Sequence, residues 1–209
     1  VDRTAGHSVV GSIEELEALY DAPVTTSLLK ELDHLHPLHV PYIEASPFVV
    51  LATVGPEGVD CSPRGDPAGF VRVLDPHTLA LPDRRGNNRL DSLRNIVADP
   101  RVALLFLVPG IGTTLRVNGR ARLRTDPELR ASFGHAGTVP TTVIEVTVER
   151  AYTQCPKALI RSHLWDPAYH RDPSELPTVG QVLAEITAGA FDGASYDAAY
   201  PQRLRETLY

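Results

Sequence analysis

The chain of 209 residues contains only two cysteines, Cys61 and Cys155. They lie far apart and belong to no CxxC or Cys/His pattern, so the sequence indicates neither a disulfide framework nor a zinc site. We expect both to be inert, half-buried thiols. No apolar run approaches the roughly 18 residues of a membrane-spanning helix, and the opening residues show no signal-peptide pattern. These absences predict a cytoplasmic protein that does not insert into a membrane.

Positive charge is also in the minority. The net charge of −6 at pH 7 and the pI near 5.7 argue against general nucleic-acid binding, which usually requires a basic face. The hydrophobic content of 43% and the charged content of 22% are ordinary for a globular protein with a substantial core. Familiar catalytic fingerprints are missing as well. We find no Walker or Rossmann pattern, and Ser132 and His135 form no nucleophile elbow.

Short apolar strands joined by tight turns occupy the middle of the chain. At least seven are predicted, at residues 48–54, 59–63, 70–74, 78–81, 102–108, 114–123 and 143–148. Their short connections predict a closed or nearly closed antiparallel barrel. Helices are predicted within the barrel at 89–98, with Leu90, Leu93, Ile96 and Val97 on one face, and at Asp126-Pro-Glu128.

Helices are also predicted at both ends of the chain. A capping box from Ser12 to Glu15 begins one of them. Its apolar stripe consists of Ile13, Leu16, Leu19 and Tyr20. Beyond Tyr152 the sequence is helical and interrupted by prolines. We therefore predict one domain over residues 1–209, with a barrel at about 47–150 and helical extensions at 1–46 and 151–209.

Three closely spaced histidines, His34, His36 and His39, invite comparison with a metal site. Pro37 and Pro41 interrupt any regular helix there, and no Asp, Glu or Cys joins the histidines at a diagnostic spacing. We expect a polar loop before the barrel and no metal.

An arginine-rich turn joins the fourth predicted strand to the helix at 89–98. Arg84, Arg85 and Arg89 surround a junction where free backbone N–H groups and the helix dipole favour an anion. Arginine side chains bind phosphate oxygens in a bidentate way, and Gly86 gives the backbone freedom for close approach of a ligand. This pattern predicts a phosphate site. The alternative is a solvated turn with surface arginines.

Arg64 lies on the second predicted strand, apart from the turn. Burying arginines in either place is costly unless they meet an anion or a carboxylate. A bound phosphate would satisfy this requirement. Structural salt bridges to Asp66 or Asp83 would satisfy it too, and both possibilities stay open at the level of sequence.

Five ordered segments resemble a known family. They read SPRGDPAGFVR at 62–72, LPDRRGNNR at 81–89, NIVADPRVALLFL at 95–107, LRVNGRA at 115–121 and CPKALIR at 155–161, followed by Trp165. Over roughly residues 40–167 the chain resembles the pyridoxamine 5′-phosphate oxidase-related proteins, the flavin mononucleotide (FMN)-binding split β-barrels. The resemblance implies a mainly β fold with α additions, an antiparallel, Greek-key-like split barrel with helical N- and C-terminal segments. It also implies a homodimer with one FMN in each of two interface clefts.

The resemblance further implies which residues bind the FMN phosphate. They are Ser62 and Arg64 from a strand, and Arg84, Arg85, Asn88 and Arg89 from the turn. Arg85 falls where the true oxidases have the arginine of a Ser-Arg-Lys turn, whereas Gly86 falls where they have lysine. We expect Arg84 or Arg89 to replace that lysine.

A later segment resembles the part of the family that reaches towards the cofactor cleft, in cis or across the dimer. It makes Lys157, Arg161 and His163 candidate contacts for cofactor or substrate. The alternative is a surface helix with Trp165 as a hydrophobic anchor. Arg161-Ser-His163 is the nearest match to the Arg-x-His motif of true oxidases, but the surrounding residues match the related proteins better. Pyridoxamine phosphate is therefore the less favoured substrate.

Taken together, the resemblance implies an FMN-dependent oxidoreductase that acts on a small molecule, with NAD(P)H as a candidate electron donor. The flavin would carry the redox chemistry, which agrees with the missing side-chain nucleophile. The alternatives are a non-catalytic flavin-binding protein and a split barrel that binds haem or deazaflavin.

Overall fold

The computed structural model describes residues 9–209, so the first eight residues of the predicted N-terminal extension lie outside the described range. The chain forms two compact units, divided between Glu31 and Leu32. The predicted single domain stays a prediction.

The first unit contains two short helices, α1 (Ile13–Glu17) and α2 (Thr25–Leu29). Ser12 caps α1, because its side-chain oxygen accepts a hydrogen bond from the Glu15 N–H at 3.1 Å. This is the contact that the capping-box pattern predicts. The helix ends at Glu17, so Leu19 and Tyr20 of the predicted stripe lie beyond it.

The second unit is built on one seven-stranded antiparallel sheet. Its strands are β1 (Phe48–Gly55), β2 (Gly58–Gly65), β3 (Arg72–Asp75), β4 (Thr78–Pro82), β5 (Arg101–Leu107), β6 (Thr114–Arg124) and β7 (Val143–Gln154). Their order is β2-β1-β5-β6-β7-β4-β3. All seven predicted strands are confirmed. Because β2 and β3 form the two edges, the sheet is open between them, as in a split barrel.

Among the described residues, the second unit also contains six α-helices. They are α3 (Val40–Ala45), α4 (Asp91–Ala98), α5 (Pro127–Ser132), α6 (Lys157–Ser162), α7 (Val179–Ile186) and α8 (Gly193–Thr207). Two single turns of 3-10 helix lie at Pro167–Tyr169 and Pro173–Glu175. α5 begins with proline at its first position, as predicted. Within residues 9–209, no helix combines the length and apolar character needed to cross a membrane.

Packing of α4 on β1 fixes the arginine-rich turn to the barrel. Leu93 and Ile96 of α4 are buried in the main core. The Asn95 amide donates a hydrogen bond to the Thr53 hydroxyl at 3.0 Å. A Cβ atom on Gly55 would overlap that amide, so a larger residue there would displace the Asn95 side chain and break its hydrogen bond to Thr53. The turn before α4 is thus anchored to the sheet.

A β-bulge between Asn118 and Gly119 shifts the pairing of β6 with β7. A Cβ atom on Gly119 would overlap the Thr147 carbonyl of the neighbouring strand. We predict that Gly119→Ala lowers the free energy of unfolding by about 3 kcal/mol, because this backbone has little room to move. Urea denaturation measures the change. Gly86→Ala is the control, since nothing lies within 4 Å of its added Cβ. Equal effects of both variants would contradict the packing argument.

The histidine segment forms a loop before α3. Asp33 accepts a hydrogen bond from His34 at 2.8 Å, and the His36 N–H donates to the His39 ring at 3.2 Å. Burial lowers the pKa of the His39 imidazole below its ordinary value. Across the described part of the chain, no three His, Cys, Asp or Glu side chains are grouped so that they could hold a metal ion.

Candidate ligand cleft

A cleft of about 1460 Å³ lies beside β2, the turn after β4, and α4. All six residues that the resemblance assigns to the cofactor line it: Ser62, Arg64, Arg84, Arg85, Asn88 and Arg89. The same wall contains a fifth arginine, Arg94, and three aspartates, Asp60, Asp83 and Asp91. Five cations against three anions leave the cleft positive, in a chain that is negative overall. The cleft therefore favours an anionic ligand.

Strand β2 supplies one side of the cleft. Because strand residues two apart share a face, Ser62 and Arg64 project together. Arg64 Nη1 donates to Asp83 Oδ1 at 2.6 Å, so the salt-bridge alternative applies to part of this side chain. Its Nε atom is buried and has no hydrogen-bond partner among the described residues. A buried unsatisfied N–H is costly, and a bound acceptor would remove that cost.

Arg84 is committed to structural contacts. Its Nε donates to Asp66 Oδ2 at 2.6 Å, and its Nη1 donates to the Phe133 carbonyl at 2.8 Å. The Asp66 carboxylate is almost fully buried, with 1% of its side chain exposed. Of the two arginines expected to replace the missing lysine, Arg84 is thus already occupied. The other, Arg89, makes only an exposed pair with Asp91 at 2.8 Å.

Arg85 and Arg94 are the uncommitted cations of the cleft. Both are exposed, and neither side chain makes a hydrogen bond or an ion pair with any described residue. The sequence analysis did not identify Arg94 as a cleft residue, although its helical spacing from its neighbours indicates which face it shares. Leu90, Arg94 and Val97 recur at intervals of four and three residues and all line the cleft.

The predicted apolar face of α4 needs a correction. Leu93 and Ile96 are buried, whereas Leu90 is 45% exposed and Val97 is 76% exposed. A helix buries only one stripe, and Leu90 and Val97 fall outside it, on the side that faces the cleft. α4 also begins at Asp91 rather than at Arg89.

Backbone strain in the turn falls at residues other than Gly86, whose role in close approach of a ligand stays a prediction. The left-handed conformations fall at Asn88, with φ of 61°, and at Leu90, with φ of 62°. Asparagine tolerates this region, but it is unusual for leucine. Gly86 has no such φ and only open space around it. The strain flanks Arg89 and fixes the direction in which the chain enters α4.

Thr142 is a second cleft residue that sequence reasoning missed. Its hydroxyl oxygen is buried and has no hydrogen-bond partner among residues 9–209. Thr142 lines the cleft, as does Arg64, whose Nε also lacks a partner. Two orphaned polar atoms and two unpaired arginines together form a donor set that fits a phosphate-bearing ligand such as FMN.

Residues from the far end of the sequence also reach the cleft. Leu208 and Tyr209 line it, and the Tyr209 hydroxyl donates to Asp66 Oδ1 at 2.9 Å. This hydrogen bond raises the pKa of Tyr209 above its ordinary value, since ionisation would remove the donor. No local sequence pattern links two residues so far apart along the chain.

The three candidate contacts from the later segment do not line this cleft. Lys157 and Arg161 belong to α6. The His163 ring stacks on Tyr169, with a centroid distance of 4.0 Å. Trp165 Nε1 donates to the Ile111 carbonyl at 3.0 Å, as a structural anchor does. Contacts of Lys157, Arg161 and His163 with cofactor or substrate stay predictions.

The cysteines differ from the expectation of half-buried thiols. Cys61 and Cys155 are both free and exposed. Cys61 lies in the middle of the edge strand β2 and lines the cleft. An edge strand leaves such side chains open to solvent.

Comparison with protein-family models identifies the class of protein. A model described as pyridoxamine 5′-phosphate oxidase matches residues 35–155, more than half of the chain. The chain belongs to this family, and its fold is the split β-barrel with helical additions that the resemblance implies. A comparison with curated proteins gave no match.

Solved structures resemble the barrel at low sequence identity. HupZ of Group A Streptococcus is 17% identical, with a TM-score of 0.48, over 58% of this chain and 94% of its own. General stress protein 26 of Bacillus anthracis is 17% identical, with a TM-score of 0.42, over 54% and 88%. An FMN-binding protein of Syntrophomonas wolfei is 8% identical, with a TM-score of 0.42, over 55% and 81%.

Proposed function

We propose that the protein binds FMN in this cleft and acts as an FMN-dependent oxidoreductase on a small molecule. The main support is that one cleft is lined both by Arg85, whose exposed side chain is unpaired, and by Arg64, whose buried Nε has no partner among the described residues. The buried Nε lacks an acceptor, and the cleft carries more cations than anions, so the site favours an anionic ligand. Family membership favours the phosphate of FMN as that partner.

The arginines divide into two roles in this proposal. Arg85 and Arg64 bind the phosphate directly, and Arg94 adds positive charge from α4. Arg84 holds the turn in place through Asp66 and the Phe133 carbonyl. Arg89 can leave its exposed pair with Asp91 at little cost, so it is the better replacement for the missing lysine.

Neutral donors complete the phosphate site. Ser62 and Thr142 offer hydroxyl groups, and Asn88 offers a side-chain amide on the same wall. The bound flavin would supply hydride or electron transfer through its isoalloxazine ring. The side chains named here bind and orient the ligand. Because the flavin carries out the redox chemistry, the site needs no nucleophilic side chain.

We also propose that the protein is a homodimer with a cleft at each side of the interface, as the family resemblance implies. Such a dimer would allow α6 of one protomer to approach the cleft of its partner. Sedimentation at micromolar concentration gives the mass in solution, and a monomer with bound FMN would contradict this arrangement.

Lys157→Ala tests the predicted contact from α6. If Lys157 contacts cofactor or substrate, loss of its charge should weaken FMN retention or turnover by about tenfold, the size of one charged hydrogen bond. Fluorescence titration and steady-state turnover provide the two readouts. Lys30→Ala, in the first unit, is the charge-matched control. Unchanged retention and turnover in Lys157→Ala would remove this residue from the site.

Mass spectrometry of the ligand released from purified protein tests the cofactor directly. The proposal predicts FMN and a yellow protein with flavin absorption bands. A Soret band would identify haem instead, and a deazaflavin mass would identify that cofactor. A colourless protein that fails to take up added FMN would contradict the proposal.

Enzymatic activity needs a separate test. Bound flavin should be reduced by NAD(P)H or a candidate substrate faster than free FMN is, and then reoxidised by an acceptor. If no donor reduces bound FMN faster than free FMN, the protein is a flavin-binding module rather than an oxidoreductase.

A further inference from the structure

The segment that follows α8 reaches the ligand cleft, where Tyr209 is its aromatic residue. The Tyr209 hydroxyl donates to Asp66 Oδ1 at 2.9 Å, and its ring lies 4.7 Å from the His135 ring. The Arg84 guanidinium is 5.8 Å from the centre of the same ring. Tyr209 therefore has a polar anchor at its tip and aromatic and cationic neighbours along its body.

Asp66 joins this anchor to the arginine-rich turn. One carboxylate oxygen accepts from Arg84 and the other accepts from Tyr209. Because the carboxylate is buried, both hydrogen bonds are shielded from water and are stronger than surface contacts. Tyr209 is thereby held against the turn that carries Arg85.

The rest of this segment is loosely attached. Leu208 is 57% exposed, and Tyr209 is only partly buried. α8 packs chiefly on α7, where the Gly180 N–H donates to Asp197 at 2.9 Å. Of this segment only Leu208 and Tyr209 line the cleft, so it can open locally without unfolding the barrel.

We propose that Tyr209 is a latch over the ligand cleft, and that it must detach from Asp66 before a flavin can enter or leave. This inference rests on the proposed FMN function. Its basis is that Tyr209 lines the same cleft as Arg85 and is held there by a single hydrogen bond, to Asp66, which in turn pairs with Arg84 of the turn.

A latch has a kinetic signature that a simple contact lacks. A residue that only touches the ligand changes mainly the dissociation rate. A latch limits both directions, because binding and release each wait for the open state. Tyr209→Ala should therefore speed association and dissociation of FMN by about tenfold each, with little change in affinity. Tyr209→Phe keeps the ring but loses the hydrogen bond, and it should give an intermediate increase.

Stopped-flow fluorescence of FMN with the apoprotein measures both rates. Tyr200→Ala is the matched control, because Tyr200 lies within the preceding helix α8 and stacks on Tyr196 away from the cleft. Its rates should equal those of the wild type. Thermal melting confirms that each variant is folded.

Distinct outcomes separate the latch from the proposed function. If the wild type binds FMN and Tyr209→Ala changes neither rate, or changes only dissociation, the latch is wrong and the phosphate site stands. If the wild type binds no FMN, the proposed function fails and the latch fails with it. Faster rates in Tyr200→Ala as well would show that α8 acts as a whole, which also overturns a latch at Tyr209.

Discussion

Arg85→Glu is expected to abolish retention of FMN. The substitution removes a bidentate arginine and places a carboxylate against the phosphate, so both attraction and charge complementarity are lost. Loss of a charged hydrogen bond and the added repulsion should together raise the Kd by about two to three orders of magnitude. Fluorescence titration of the apoprotein with FMN measures the change.

Two matched variants make this result specific. Arg85→Lys keeps the positive charge but not the planar fork, so it should bind FMN with an intermediate affinity. Arg205→Glu makes the same charge change on the exposed surface of α8, outside the cleft. It should leave the affinity unchanged. Retention of FMN by Arg85→Glu at the wild-type stoichiometry would refute the assignment of the phosphate site.

Asp66→Ala is expected to cause the largest loss of stability among the ion-pair variants. The Asp66 side chain is 1% exposed, and its partner Arg84 is 17% exposed. Removing one member of a buried pair leaves the other charge uncompensated, which costs about 3 kcal/mol or more. The Tyr209 hydroxyl loses its acceptor as well. The free energy of unfolding from urea denaturation reports the loss.

The exposed pair at the same turn provides the comparison. Arg89 and Asp91 have side chains 74% and 46% exposed, so Asp91→Ala should cost less than about 1 kcal/mol. Asp66→Asn keeps the shape of the side chain and should fall between the two. Equal losses in Asp66→Ala and Asp91→Ala would show that Arg84 is not the structural arginine of the turn.

The positions of the strands could be predicted because apolar residues recur at every second position along them. β1 and β5 bury every second residue, which is the period that strands require. The end of β7 was predicted wrongly. This strand was predicted to end at Val148 but continues to Gln154. Its last residues pair with β6 beyond the bulge at Asn118, and that pairing is a tertiary contact without a local pattern.

The cleft was predictable only in part. The arginines of the turn could be grouped because a strand-to-helix junction is a local feature. The sequence could not show which of these arginines is free to bind a ligand, because that depends on partners that lie far away along the chain. Arg84 is occupied by Asp66 and by the carbonyl of Phe133, 49 residues further along the chain.

Other cleft residues gave weaker signals or none. Arg94 could have been found from its helical spacing with Leu90 and Val97. Tyr209 could not, because it meets Asp66 across 143 residues of sequence. The orphaned hydroxyl of Thr142 is visible only when the packing around it is known.

Titration of the apoprotein with FMN and with riboflavin tests the central claim most directly. The two ligands share the isoalloxazine ring, and riboflavin lacks only the phosphate. If the cleft binds FMN through its arginines, FMN should bind at least about 100-fold more tightly, which corresponds to roughly 2.7 kcal/mol from phosphate contacts. Equal affinities for the two ligands would contradict a phosphate site at Arg64 and Arg85.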